Sequence, residues 1–117
     1  MAIGNRRSER VPTNLAVRWV RRDSTDELSA VDINMHGLFV LTAEQLAIGS
    51  LLQLKVELPE GAVTMFATVR FVGQTASGTG AGLEIFLMEQ RERAQWRAHY
   101  TSLSRARQAV GAKASNG

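Results

Sequence analysis

The sequence predicts an all-β fold, a six-stranded antiparallel β-barrel followed by a C-terminal α-helix. Three observations lead there. Apolar and polar residues alternate in six short segments, the period-two pattern of strands with one buried face. Turn signals separate these segments at close spacing. Beyond Met88 the apolar spacing becomes that of a helix. A chain of 117 residues suffices for one domain with one core. Closure into a barrel removes the edges that six short strands would otherwise expose.

Residues 1–10, MAIGNRRSER, lack apolar periodicity and are expected to form a flexible, arginine-bearing arm. Leu15, Val17 and Trp19 then alternate with Asn14, Ala16 and Arg18. The loop DSTDE turns the chain into a second strand over 28–33. Asn34, Met35, His36 and Gly37 read as a turn, with Gly37 free to take positive φ. Residues 38–42 form a short apolar strand, and Ile48-Gly49-Ser50 a second turn. Leu52, Leu54, Val56 and Leu58 face one way, with Gln53, Lys55 and Glu57 opposite. Pro59-Glu60-Gly61 signals a hairpin. Val63, Met65, Ala67, Val69 and Phe71 share the next buried face, and the loop GQTASGTG leads to Ala81, Leu83 and Ile85. The barrel with its helix is expected over 11–110, the helix over about 88–110, and a disordered tail over 111–117. Trp19, Phe39, Phe66, Phe71 and Phe86 are expected in the core or against the helix, with Trp96 and Tyr100 seating the helix on the barrel mouth.

Charge divides the chain into three. Residues 1–22 carry a net +5, residues 23–90 a net −7 and residues 91–117 a net +5. Twelve of the fourteen basic residues are arginine, whose planar fork suits phosphates and guanine edges. GC-rich coding accounts for that preference equally well, but it does not explain why Arg6, Arg7 and Arg10 cluster ahead of the first strand. The absence of cysteine excludes disulfides, thiolate nucleophiles and cysteine-ligated metals, and two histidines are too few for a histidine-rich metal site. No apolar run reaches the roughly 18–20 residues of a membrane span. No nucleophile–base–orienter set or phosphate-cradling glycine loop is present, so neither catalysis nor a cofactor is expected. A cytoplasmic domain without membrane insertion is the expectation.

Two constellations carry recognition chemistry. Arg6 and Arg10, four residues apart in Arg6-Arg7-Ser8-Glu9-Arg10-Val11-Pro12, can close on an anion from two sides. A solvated basic arm without a ligand would look the same. In Asp32-Ile33-Asn34-Met35-His36-Gly37 a carboxylate can accept the N1–H and N2–H donors of guanine. An Asx turn closing a hairpin would use the same Asp, Asn and Gly. His36, at the turn tip, is left outside the site.

Together, and in this order, these residues resemble the PilZ domain family of bacterial cyclic di-GMP receptors. That family's RxxxR motif is matched by Arg6 and Arg10 before Val11-Pro12, and its D/N-x-S-x-x-G motif by Asp32, Asn34 and Gly37. LAIGSLLQLKVELP, ATVRFVG and GAGLEIF resemble the remaining strands, so the likeness spans about 5–103. Asn5 stands where many members have arginine, and Asn34 where serine is usual. The resemblance implies cyclic di-GMP as ligand, bound by Arg6, Arg7, Arg10, Asp32, Asn34 and Gly37, with Arg7 able to stack on a purine of an intercalated pair. It implies signalling through the ordering of the arm, read by an effector protein not identified by the sequence. Two alternatives stay open: a PilZ-like interaction module that binds no nucleotide, and a small basic barrel for RNA or single-stranded DNA. The acidic middle of the chain argues against nucleic acid.

Overall fold

The computed structural model describes residues 9–22, 24–76 and 78–116, with side chains through residue 108. Six strands succeed one another: β1 (Val11–Val20), β2 (Thr25–Asn34), β3 (Gly37–Leu41), β4 (Leu51–Leu58), β5 (Gly61–Thr75) and β6 (Gly78–Met88). Helix α1 (Gln90–Asn116) ends the chain. The strands close in the order β1-β2-β3-β6-β5-β4, every pair antiparallel, with Val17 opposite Val56 where β1 meets β4. Val17, Ile33, Leu54, Val56, Val63, Met65 and Val69 fill the interior. The expected antiparallel barrel with its terminal helix is the fold observed.

Bulges decide which side chains leave the core. Period-two alternation sends Leu28 and Ala30 inward, and continued strictly it would send Asp32 inward as well. Val31 is an extra residue between the Ala30 and Asp32 pairings, so Ile33 enters the core and Asp32 turns outward. Arg70 does the same between Val69 and Phe71. The face expected to run from Val63 to Phe71 therefore ends at Val69, and Phe71 lies outside, 41 % exposed. Phe39 is buried, but its neighbours Leu38 and Val40 hold the interior positions, so its ring packs on the outer wall. Phe86, the extra residue of a β6 bulge, is also exposed rather than in the core. Phe66 is half-buried on the outer face. Trp19 is half-buried as well, its ring covered by the Arg21 guanidinium at 3.6 Å, and Arg21 is held in turn by Asp26 and Glu44 at 2.9 and 2.6 Å.

The expected loop between the last two strands is instead strand, because β5 and β6 pair as far as Thr75 and Gly78. Gly78 has φ near 129°, a value open to glycine, and it closes this hairpin. Gly37 does not take the positive φ expected of it. It is needed for closeness, since a Cβ there would collide with the Leu83 carbonyl across the β3–β6 pairing.

Helix α1 seats on the barrel mouth as its spacing predicts. Trp96 and Tyr100 are buried, and Leu103 packs against the core. Polar contacts fix the helix at both ends of that mouth. The Glu92 carboxylate accepts from the Thr64 amide at 2.9 Å, Gln95 donates to the Gly61 carbonyl at 2.8 Å, and the Trp96 indole donates to the Asn34 carbonyl at 3.1 Å. The helix continues to Asn116, beyond the end expected near Val110 and through the tail expected to be disordered. One glycine costs a helix only about 1 kcal/mol, and Ala112, Lys113 and Ala114 beyond it favour helix.

Candidate functional site

One row of paired residues runs around the outside of the barrel and gathers the site. Pro12 of β1 pairs with Asp32 of β2, Asp32 with Phe39 of β3, Phe39 with Gly82 of β6, and Gly82 with Phe71 of β5. Two of these positions, Asp32 and Phe71, reach the outside through the bulges at Val31 and Arg70. Gly82 has no side chain to stand above the wall. A Cβ there would strike the Phe71 ring, and one at Gly80 would strike Phe39. The two rings therefore lie on a glycine floor, tilted, with centroids 5.8 Å apart.

Arg10 extends over this row from just before β1. Its guanidinium sits 5.7 Å from the Phe71 ring centroid, and Nη1 is 3.8 Å from Asp32 Oδ1. That distance exceeds the 2.7–2.9 Å of a charge-assisted hydrogen bond, so the pair is a loose one. Asp32 Oδ1 is buried and has no hydrogen-bond donor among the described residues. Burial pushes the Asp32 carboxyl above its ordinary value of 3.8, and the Arg10 charge offsets part of that rise. The site thus holds an acceptor withdrawn from water without a donor, beside a cation whose side chain is 52 % exposed.

Helix α1 anchors the backbone that carries both groups. The Tyr100 hydroxyl donates to the Glu9 carbonyl at 2.6 Å and Arg107 donates to the Arg10 carbonyl at 3.2 Å. Through the Trp96 indole the same helix holds the Asn34 carbonyl at the end of β2. The Arg10 and Asp32 segments are thereby fixed from one support, while the Arg10 side chain itself is half exposed and, among the described residues, meets only the Phe71 ring and the loose Asp32 contact.

The other expected site residues are more dispersed. Arg6 and Arg7 lie outside the described residues, as does the arm they belong to up to residue 8. Asn34 Oδ1 accepts from the His36 amide at 2.9 Å, closing an Asx turn. Its amide oxygen is thus engaged in the turn, and its Nδ2 donors have no partner among the described residues. Gly37 lies at the β3–β6 contact and His36 is exposed. Phe71 and Gly82, with Phe39 and Gly80 beneath them, were not expected at the site. Glycines two apart on one face of a strand signal that something crosses closely above them, and Gly80 and Gly82 carry that signal.

A family model for the PilZ domain matches residues 4–102 of this chain. The chain belongs to the PilZ domain family. Among solved structures it is similar to the PilZ domain of YcgR from Escherichia coli with c-di-GMP, at 16 % identity over 92 % of this chain and 97 % of that one, with a TM-score of 0.71. It is similar to the longer E. coli YcgR in complex with c-di-GMP at 18 % identity and a TM-score of 0.75, over 92 % of this chain and 50 % of that one. The inhibitor of motility MotI from Bacillus subtilis matches at 19 % identity and a TM-score of 0.71, over 87 % of this chain and 51 % of that one. The PilZ domain described here therefore spans about half the length of MotI and of the longer YcgR. At these identities the structural likeness carries the barrel-and-helix fold. Comparison with curated protein sequences gives no match.

Proposed function

We propose that this PilZ domain is a receptor for cyclic di-GMP. The observation that carries the reading is the loose pair of Arg10 and Asp32, a cation 3.8 Å from a half-buried carboxylate whose buried Oδ1 has no donor, at the positions of the two family motifs. The Watson–Crick edge of guanine presents two adjacent N–H donors, the complement Asp32 lacks. The Arg10 fork takes a phosphate oxygen pair or the O6/N7 edge of guanine. Seating the ligand opens a contact that was already long, so little is lost on the protein side. Arg6 and Arg7, four and three residues before Arg10, supply further positive charge to a dianionic ligand. The Asn34 Nδ2 donors face a base or phosphate without disturbing the turn that Oδ1 closes. Phe71 supports Arg10 from below.

Output in this reading is a change of surface. The residues before Glu9 settle over the ligand, and a partner protein reads the ordered arm. Tyr100 and Arg107 hold the base of that arm, so ordering begins from a fixed point.

Calorimetric titration of cyclic di-GMP into the wild type and Arg10→Ala tests the assignment. The variant is expected to lose roughly 1–3 kcal/mol of binding free energy, and wild-type affinity to fall as salt rises. Equal affinity in the two proteins would remove Arg10 from the site. Phe71→Ala should bind about two- to five-fold more weakly, the scale of a cation–π support worth about 0.5–1 kcal/mol. Its melting temperature should stay close to that of the wild type, because the ring lies outside the core.

A further inference from the structure

The outer face of β4, β5 and β6 carries large apolar side chains that the rest of the fold leaves open. Leu51 and Leu87 are 55 % exposed, Ile48 and Phe86 66 %. The strand register brings them together. Leu51, Thr68 and Glu84 form one outward row, and Gln53, Phe66 and Leu87 form the next. Phe86 projects from the β6 bulge beside Leu87, and Ile48 precedes Leu51 in the turn into β4. Together these side chains expose roughly 400–500 Å² on one face, the size at which an apolar patch on a soluble domain marks a contact.

The charges on this face identify what covers it. Lys55 and Glu57 come after Gln53 along β4, and Arg70 pairs with Glu84 at 3.4 Å across β5 and β6. Two cations and two anions on one face balance, although the chain as a whole has net charge +3. An anionic membrane selects a face of positive charge, and an acidic partner does the same. A two-fold axis instead requires a surface complementary to itself, with both signs present around an apolar centre. The area fits an interface of standard size, which buries about 800 Å² per partner, and homodimer interfaces are about 65 % apolar. We propose that this face pairs with the same face of a second copy of the chain, forming an isologous dimer centred near Phe66, beside Gln53.

Sedimentation equilibrium from low to high micromolar protein tests this, with Phe86→Ser/Leu87→Ser as the disrupting variant. Both side chains are exposed, so the variant should keep the wild-type circular dichroism. The expected result is a wild-type dimer and a variant whose dissociation constant is at least tenfold weaker. The chain has no cysteine, so a single introduced thiol reports on proximity. Gln53→Cys should oxidise to a disulfide-linked dimer, and Glu27→Cys, on the opposite wall, should not. A wild type monomeric at every concentration overturns the proposal, including one that cosediments with anionic vesicles. A dimer that persists unchanged in the double variant overturns it too, as does equal cross-linking from both cysteine positions.

Discussion

Asp32→Asn is expected to weaken cyclic di-GMP binding by about 10- to 100-fold, the loss of a charge-assisted interaction worth about 1.5–3 kcal/mol. The same variant should leave the ligand-free fold as stable as the wild type or more so. The two effects have one cause. The carboxylate is half-buried and its Oδ1 has no donor, so its ionised form is less favourable than in water until a ligand supplies N–H groups. Its folded pKa is raised, so Asp32 contributes most to stability below 3.8, and that contribution declines as pH climbs from 3.8 through the folded value. The stability advantage of Asp32→Asn is therefore largest at neutral pH and narrows in acid. Ligand affinity runs the other way, because a protonated carboxyl cannot accept both guanine donors. Wild-type affinity should fall as pH approaches the Asp32 pKa, and Asp32→Asn should lack that component. Thermal melts and titrations at neutral and acid pH, on both proteins, measure all four quantities.

Trp96→Ala should cost about 3–5 kcal/mol of stability, read from the denaturant midpoint. Trp96 is 1 % exposed and is the largest side chain completely enclosed among the described residues. Its removal opens a cavity between helix and barrel and also frees the Asn34 carbonyl. For a domain whose whole stability is about 5–15 kcal/mol, that loss approaches unfolding. Trp96→Phe keeps the test informative by retaining most of the packing while deleting the indole N–H. A loss of about 1–3 kcal/mol is expected, the consequence of leaving a carbonyl unpaired. Because Trp96 holds the end of β2 that carries the Asp32 motif, this folded variant should also bind ligand more weakly. Unchanged affinity in Trp96→Phe would show that the helix does not position the site.

The barrel was legible because alternation survives along most of each strand, and the helix because Trp96, Tyr100 and Leu103 keep their spacing. Alternation does not disclose a change of phase. Val31, Arg70 and Phe86 are each one extra residue in a strand, and each reverses the facing of the side chains after it. Nothing in the identity of Arg70 announces a bulge, so Phe71 read as core while the chain places it beside Arg10. The same effect turns Asp32 outward, a position that its charge alone already favoured. Arg10 and Asp32 could be paired in advance only because the two motifs resemble a known family, since they lie 22 positions apart in sequence. Gly37 was marked for positive φ, and what requires glycine there is instead the nearby Leu83 carbonyl. Asn34 closes the Asx turn that was the alternative reading of its motif, through its side-chain oxygen.

Calorimetric titration of the wild-type domain with cyclic di-GMP, beside cyclic di-AMP as the matched dianion, tests the central claim most directly. Adenine presents no N1–H and no 2-amino group, so it leaves Asp32 Oδ1 undonated while offering the same phosphates to the arginines. Saturable binding of cyclic di-GMP, at least tenfold tighter than cyclic di-AMP, is the result predicted. No heat from cyclic di-GMP at high micromolar concentration and two temperatures, or equal affinity for both dinucleotides, would contradict it.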